Sequence, residues 1–169
     1  MRYFDQFPII QYNKFDTRNI IAKVKLSDVL NEEYFSYANY TLKEFDSPWT
    51  IAHDYYGSVD RTWLVYLSNN IIDPYYEWYM DQENFDNYIN KKYGSYEAAI
   101  SNISHYKDAN GDIYTKDTYT YGSTDLKNSL TAVTDYTKEL EENESRRNIR
   151  LIRFDLATTA EQNLKGLLE

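Results

Sequence analysis

The segment Asp46–Gly57 constrains the fold most, because its sequence specifies both ends of a short helix. Ser47 can accept a hydrogen bond from the first turn, and Pro48 suits the first helical position. Gly57 is a natural helix stop in the left-handed conformation. The spacing i, i+3, i+4, i+7 predicts a shared face for Trp49, Ala52, His53 and Tyr56. Burial of Trp49 against the core is therefore expected.

Strand and helix patterns alternate around this helix. Alternating aromatic residues in 34–45 predict a β-strand, with a break near Ala38 that a bulge would explain. The run TWLVYLSNN predicts a second helix on which Trp63 faces the core. Helices are predicted from Asp81 to Gly94 and from Ser95 to residue 100, followed by a hairpin with Asn110-Gly111 at its turn. This mixture of elements predicts an α+β fold.

The last third of the chain has weaker local signals. Residues 117–126 are polar and predict a loop. A helix is predicted from Leu130 into the charged run ELEENESRR, and NIRLIRF at 148–154 has the alternation of a strand. Thr158 and Glu161 form a capping box that predicts the start of a final helix.

These patterns predict four consecutive parts. Residues 1–33 form an N-terminal arm, because their apolar residues lack a sustained helical period. Residues 34–80 form a small strand–helix–helix module, and residues 81–128 contain further helices and the hairpin. Residues 129–169 form a C-terminal helix–strand–helix arm.

Charge and hydropathy exclude several classes of protein. The 169 residues carry 18 basic and 27 acidic side chains, for a net charge of −9. Nucleic acid is not expected as a partner, since phosphate binding needs clustered Lys and Arg. No apolar run is long enough to span a membrane, and the first residues lack the pattern of a secretory signal. A membrane partner is therefore not expected.

Tyrosine is the most unusual feature of the composition, with nineteen residues in the chain. Tyr offers a large, rigid contact area with a polar tip. This content suggests surfaces that contact protein or sugar, and the codon bias of an AT-rich genome is the alternative explanation.

Catalytic and metal-binding patterns are missing from the sequence. There is no Gly-rich phosphate loop and no nucleophile elbow. The absence of Cys excludes disulfides and cysteine-based zinc sites. Of the two histidines, His53 is expected to pack on its helix and His105 has no sequence-local partner. We therefore predict a protein that is not an enzyme and that uses no cofactor or metal.

A cluster of arginines follows three glutamates near residue 145. The simpler interpretation is a solvated helix with local ion pairs such as Glu142–Arg146. The alternative is a partner-binding patch that includes Arg146, Arg147 and Arg150. The sequence leaves both interpretations open.

Residues 40–72 resemble a LysM module, a small β-α-α-β unit known for binding N-acetylglucosamine chains. The run DSPWTIA, the helix end YYG and the pattern Leu67-x-Asn69-Asn70-Ile71 are similar to the motifs of that family. The resemblance implies a glycan site on two loops, formed by Asp46, Ser47, Trp49, Asn70 and Ile71. The Pro-Gly turn and closing strand of the family are replaced here by DPYYEW, which argues against glycan binding.

A longer resemblance covers most of the chain from about residue 20 onward. The block Tyr56-Gly57 to Asn69-Asn70, then DPYYxW, resembles the baseplate wedge protein of T4-like contractile-tailed phages known as gene product 53. The Asn110-Gly111 turn, the segment LxAV at 130–133 and the segment LExNExxRxIRLI at 140–152 fit the same family.

This second resemblance implies a structural virion protein of the tail baseplate, assembled in the host cytoplasm. Members of the family clamp neighbouring wedges around the hub and tube, with six copies per particle. The implied partners are other wedge subunits, with hub, tube or sheath-initiator proteins as further candidates. The residues expected at the protein interface are Tyr75, Tyr76, Trp78, Arg146, Arg147 and Arg150. The alternative function is that of a LysM-type peptidoglycan-binding module.

Overall fold

A computed structural model of the chain describes residues 2–20 and 36–168. Residues 21–33 of the predicted arm, and the first residues of the strand predicted at 34–45, lie outside them. The strands are β1 (Ile9–Tyr12), β2 (Phe15–Arg18), β3 (Tyr37–Thr41), β4 (Ile103–Lys107), β5 (Ile113–Tyr114), β6 (Thr131–Thr134) and β7 (Asn148–Ile152). The helices are α1 (Pro48–Tyr56), α2 (Thr62–Ser68), α3 (Pro74–Glu77), α4 (Gln82–Tyr93), α5 (Tyr96–Ser101), α6 (Lys116–Tyr121), α7 (Thr124–Ser129), α8 (Asp135–Ser145) and α9 (Phe154–Leu168). The predicted α+β class is confirmed.

The chain divides into two compact units. The first unit joins the segments Met1–Trp78 and Arg147–Glu169, and the second is Tyr79–Arg146. The second unit is therefore an insertion in the sequence of the first. The four-part division made from the sequence stays a prediction.

An antiparallel pair of strands from distant parts of the chain organises the first unit. β3 pairs with β7, in a register that runs from Tyr37 opposite Ile152 to Thr41 opposite Asn148. α1 and α2 follow β3 along the chain, and β7 pairs with β3. The unit therefore contains a β-α-α-β arrangement in which β7 is the closing strand. The buried residues of this unit include Leu42, Ala52, Tyr56, Leu64, Val65, Leu151 and Ile152.

Both predicted ends of α1 are confirmed. Ser47 and Thr50 form a capping box, Pro48 lies in the first turn, and Gly57 is left-handed with φ 72°. The predicted helix face is wrong in part, since Trp49 is 56% exposed and His53 is also exposed. The buried face is instead formed by Pro48, Ile51, Ala52 and Tyr56. In so short a helix, a shift of one position selects a different and equally regular face.

Asn69, at the end of α2, ties this helix to β7. Its side-chain amide donates to the carbonyl of Arg150 at 2.9 Å and accepts from the Arg150 amide at 2.9 Å. The same amide donates to the Val65 carbonyl at 2.8 Å. Asn69 thus pairs with the outer edge of β7 as a neighbouring strand would.

The two ends of the chain also pack within the first unit. Phe7 is buried, and the Tyr3 ring stacks on Trp63 with centroids 5.4 Å apart. Near the other end, Arg61 forms a two-bond ion pair with Glu161 of α9, at 3.0 and 3.1 Å. This pair holds α9 beside the turn that follows α1.

The second unit contains a three-stranded antiparallel sheet in the order β5-β4-β6. The predicted hairpin of β4 and β5 is confirmed, and Gly111 in its turn has φ 90°. Phe85 and Ile89 of α4 pack with Ala99 of α5 in the core of this unit. The predicted caps at Asp81 and Ser95 are also confirmed, as both side chains accept hydrogen bonds from their helices.

Three predictions for the last third of the chain are wrong. The predicted loop at 117–126 contains α6 and α7, which are capped by Thr115 and Ser123. Residues 131–134 form strand β6, so α8 begins at Asp135 and not near Leu130. The last helix begins at Phe154, four residues before the predicted cap. Short polar helices depend on their caps more than on an apolar period, which explains the first error.

A buried carboxylate joins two helices of the second unit, α8 and α4. Glu139 of α8 accepts hydrogen bonds from Tyr88 at 2.8 Å, Tyr93 at 2.9 Å and the Lys92 ammonium at 2.9 Å. Burial alone would raise the pKa of Glu139, but these three bonds hold it below its ordinary value. Burial and the neighbouring Glu139 carboxylate raise the pKa of Tyr93 to about 12.

We predict that Glu139→Gln destabilises the second unit by about 2 kcal/mol at pH 7, because Tyr and Lys donors lose a charged acceptor. A carboxylate with a depressed pKa stabilises the fold above its unfolded pKa, near 4.5, and this contribution is lost as pH falls further. The variant should therefore lose stability less steeply than wild type below pH 4.5. Hydrogen exchange of peptides from α4 and α8, at pH 7 and below pH 4.5, measures the loss of stability in wild type and variant.

Glu142→Gln is the control on the same helix. Its carboxylate pairs with Arg146 at 3.1 Å, and half of the Glu142 side chain is exposed. An exposed ion pair of this kind contributes less than about 1 kcal/mol to the free energy of unfolding. Equal effects of the two substitutions would contradict a special role for the buried network.

We also predict that Asn69→Leu destabilises the first unit by about 2 kcal/mol, because the Arg150 amide loses its partner at the edge of β7. All three Trp residues belong to this unit, so urea unfolding followed by Trp fluorescence reports on it. Asn148→Ala removes an exposed β7 amide that accepts one hydrogen bond, from the Thr41 hydroxyl at 3.2 Å, and should change the free energy of unfolding by less than about 1 kcal/mol. Similar losses in the two variants would argue against the proposed role of Asn69.

Candidate protein-interaction surface

The segment after α2 forms a short, capped helix, α3, that carries two exposed tyrosines. Asp73 accepts a hydrogen bond from the Tyr75 amide at 3.0 Å, and Pro74 occupies the first turn of α3. The Glu77 carboxylate accepts from the backbone amides of Ile72 and Asp73, at 2.6 and 3.0 Å. These bonds pair the Tyr75 amide in the first turn and the Ile72 and Asp73 amides just before it, and so stabilise α3.

Trp78 anchors this segment to the loop before α1. Its side chain is 8% exposed, and its indole N–H donates to the Asp46 carbonyl at 3.1 Å. The Asp46 carboxylate in turn accepts from the Tyr40 hydroxyl and the Lys43 amide, both at 2.8 Å. Burial and then the bond to Asp46 raise the pKa of Tyr40. Three segments of the first unit are thereby linked at one point.

Large apolar side chains on α3, and on the loop and first turn of α1, face solvent. Tyr75 is 87% exposed and Tyr76 is 53% exposed. In the loop and first turn beside the anchor, Phe45 is 85% exposed and Trp49 is 56% exposed. Ile72, just before α3, is exposed as well. We call these four aromatic residues and Ile72 the aromatic surface; its members are Phe45, Trp49, Ile72, Tyr75 and Tyr76. Exposed aromatic side chains on a rigid base are typical of protein interfaces.

The structure separates the predicted aromatic trio. Tyr75 and Tyr76 are exposed, whereas Trp78 is buried and bonded within the unit. Trp78 therefore positions the surface, and its replacement would disturb the fold. Phe45 and Trp49 were not predicted as protein contacts, because the helical spacing assigned Trp49 to the core and gave no signal for Phe45.

The three predicted arginines are divided between the two units of the chain. Arg146 belongs to the second unit, where its guanidinium bonds to Glu142 at 3.1 Å. Arg147 lies in the first unit, and its backbone carbonyl accepts from the Leu42 amide at 2.8 Å. The Arg150 guanidinium donates to the Ser68 carbonyl at 2.5 Å and lies 4.6 Å from the centre of the Tyr37 ring. Arg147 and Arg150 therefore have contacts within the first unit. Arg146 forms the local ion pair with Glu142 that the simpler interpretation of the sequence predicts.

Residues of the alternative glycan site lie in different surroundings. Asp46 and Ser47 have hydrogen bonds within the fold, Trp49 and Asn70 are exposed, and Ile71 is half-buried. An open cavity of about 580 Å³ is found at the β3–β7 sheet and the end of α2. Of the five residues, only Asn70 is among those that line it: Asn39, Tyr40, Thr41, Asn69, Asn70, Asn148, Ile149 and Arg150.

Neither a metal site nor a membrane-spanning helix is found in the part of the chain that the structure describes. Within 2–20 and 36–168, no three His, Asp or Glu side chains are arranged to hold a metal ion. Nor does any helix in this part of the chain have the length and apolar character needed to cross a membrane.

Comparison with known families agrees with a role in assembly. A family model described as base plate wedge protein 53, a phage protein, matches residues 4–124, more than two thirds of the chain. No curated protein matches the sequence. The match includes every residue of the aromatic surface and its anchor. The chain therefore belongs to the phage base plate wedge protein 53 family, the members of which are structural proteins of the tail baseplate in the virion.

Proposed function

We propose that this protein clamps neighbouring wedges of the baseplate around the hub and tube, and that its contacts re-pack when the tail contracts. Its partners are other wedge subunits, together with hub, tube or sheath-initiator proteins. Six copies assemble into each particle in the host cytoplasm. The role is structural, and no catalytic step belongs to it.

The observation that carries this proposal is the aromatic surface on its buried anchor. Tyr75 and Tyr76 are exposed, yet α3 is fixed by Asp73, Glu77 and the indole of Trp78. Rigid aromatic side chains lose little conformational entropy when a partner covers them. A partner can also leave such a surface without unfolding either unit, which suits contacts that change during contraction.

We further propose that residues 34–80 are a LysM-like module that contacts protein. The order β3-α1-α2-β7 has the β-α-α-β sequence of that module, with the closing strand supplied from residues 148–152. In this proposal the segment DPYYEW marks the point at which the second unit is inserted. Arg146, Arg147 and Arg150 then lie where the chain returns to the module, and they remain candidate interface residues.

A second candidate function is binding of a glycan such as peptidoglycan. The cavity beside the β3–β7 sheet favours it, because Asn39, Thr41, Asn70 and Asn148 offer both donors and acceptors to sugar hydroxyls. Only Asn70 is common to this cavity and the five residues expected from the LysM resemblance.

We predict that Tyr75→Ser combined with Tyr76→Ser weakens binding to the other wedge subunits at least thirtyfold. Truncating a buried interface tyrosine removes about 1–2 kcal/mol, and two such losses give this factor. The subunits are those encoded with this chain, expressed together and purified as a complex. Sedimentation with the complex measures binding, and urea unfolding tests that the isolated variant keeps its stability.

Tyr121→Ser is the matched control, because Tyr121 is 88% exposed but lies on α6 of the second unit. Binding of this variant should match wild type. If the double variant binds as tightly as wild type, the aromatic surface is not the clamp contact.

Insoluble peptidoglycan separates the two candidate functions. We expect the protein to stay in the supernatant when peptidoglycan is pelleted, while it sediments with the wedge complex. Retention by peptidoglycan that is lost in Asn39→Ala with Asn70→Ala would establish the glycan function instead.

A further inference from the structure

The hairpin of β1 and β2 stands apart from the core of the first unit. Every residue in both strands is exposed. Its two-residue turn holds Asn13 and Lys14, both at positive φ, 51° and 69°. This is the backbone of a type I′ turn, which matches the twist of paired strands. The hairpin is therefore regular, although neither of its strands is covered by the core.

The register shows which backbone groups face outward. Tyr12 and Phe15 flank the two-residue turn, so they form a hydrogen-bonded pair, and such pairs alternate along the ladder. The Asn19 amide donates to the Pro8 carbonyl at 2.9 Å, as this alternation requires. The amides and carbonyls of Ile9 and Gln11 therefore point away from β2, and no described residue bonds to them.

The two edges of the hairpin differ in their protection. β2 has the sequence FDTR and carries an exposed charge at Asp16, next to its outward backbone groups. β1 has the sequence IIQY, without a charge, a proline or a bulge. Charges and prolines are the usual means by which proteins prevent a free strand from pairing with another chain. The edge of β1 lacks this protection over its whole length.

The side chains of the hairpin also divide by face. Directly paired residues project to the same side, so Ile10, Tyr12, Phe15 and Thr17 share one face. Ile10 is 40% exposed, Tyr12 72% and Phe15 71%. An isolated two-stranded ribbon is only marginally stable in water, and a third strand that continues this apolar face would stabilise it.

The base of the hairpin is held firmly on the first unit. Phe7 is buried immediately before it, and the Arg18 guanidinium donates to the carbonyls of Asp5 and Phe7 at 2.5 and 3.2 Å. These contacts order the base of the hairpin, which lowers the entropy lost when a partner binds.

We propose that β1 is a docking edge to which an extended segment of another baseplate protein adds as a third strand. The outward amides and carbonyls of Ile9 and Gln11 specify an extended backbone as the ligand. The partner strand carries apolar residues on the side of Ile10 and Tyr12. A second copy that met this chain only at β1 is a poor occupant, because one four-residue strand covers far less than the roughly 1,200 Å² of a stable interface. A baseplate protein held by other contacts in the same assembly needs only the added strand.

This docking edge is separate from the aromatic surface, and it rests on the proposed function only in taking its partner from the baseplate. The test compares Gln11→Pro with Asp16→Pro. Each substitution removes one outward amide, the first from the edge of β1 and the second from that of β2, and proline is tolerated at such edge positions. Amide chemical shifts of Ile10 and Thr17 check that the hairpin remains paired in both variants.

Binding to the purified complex of the other wedge subunits is then measured by titration. We expect Gln11→Pro to weaken binding at least tenfold and Asp16→Pro to weaken it less than twofold. Hydrogen exchange should also slow at the amides of Ile9 and Gln11 when wild-type protein joins the complex.

Equal affinities of Gln11→Pro and wild type would overturn the docking edge while leaving the clamp intact. A wild-type protein that fails to bind the complex at all would refute both proposals. A concentration-dependent dimer of the isolated protein that Gln11→Pro abolishes would assign the edge to a second copy and so overturn the stated partner.

Discussion

The pairing of β3 with β7 is the contact on which the first unit depends. The two strands are separated in sequence by the whole second unit, so the module is complete only after the chain has returned to it. Closing so long a loop costs conformational entropy, and the contact must recover this cost. Burial of Leu151 and Ile152, together with the Asn69 bonds to Arg150, supplies the stabilisation.

Two buried polar side chains, Trp78 in the first unit and Glu139 in the second, have partners that hold separate segments together. The indole of Trp78 joins α3 to the loop before α1, and Glu139 joins α8 to α4. An unpaired group at such a position would cost more than the bond contributes, so each network favours a single arrangement. In the first unit, the Trp78 bond holds α3 and the loop before α1 together while Phe45, Tyr75 and Tyr76 stay exposed.

Features set by neighbouring residues were predictable from the sequence. The cap at Ser47, the stop at Gly57 and the turn at Asn110-Gly111 each depend on a few adjacent residues. The exposure of Trp49 was not predictable, because two helix faces of equal regularity compete and only the tertiary fold selects one. The partner of β3 was missed for a related reason: the sequence predicts a strand at 148–152 but contains no local signal for its pairing.

The same distinction applies to the candidate interaction sites. DPYYxW indicated an aromatic contact region, but the sequence could not separate the buried Trp78 from the exposed tyrosines, since all three have the same apolar character. The edge of β1 gave no signal, because its outward backbone groups follow from the register with β2 and not from any side chain. A main-chain edge and a side-chain surface use different chemistry, so two such contacts on one rigid unit allow two partners to be recognised independently.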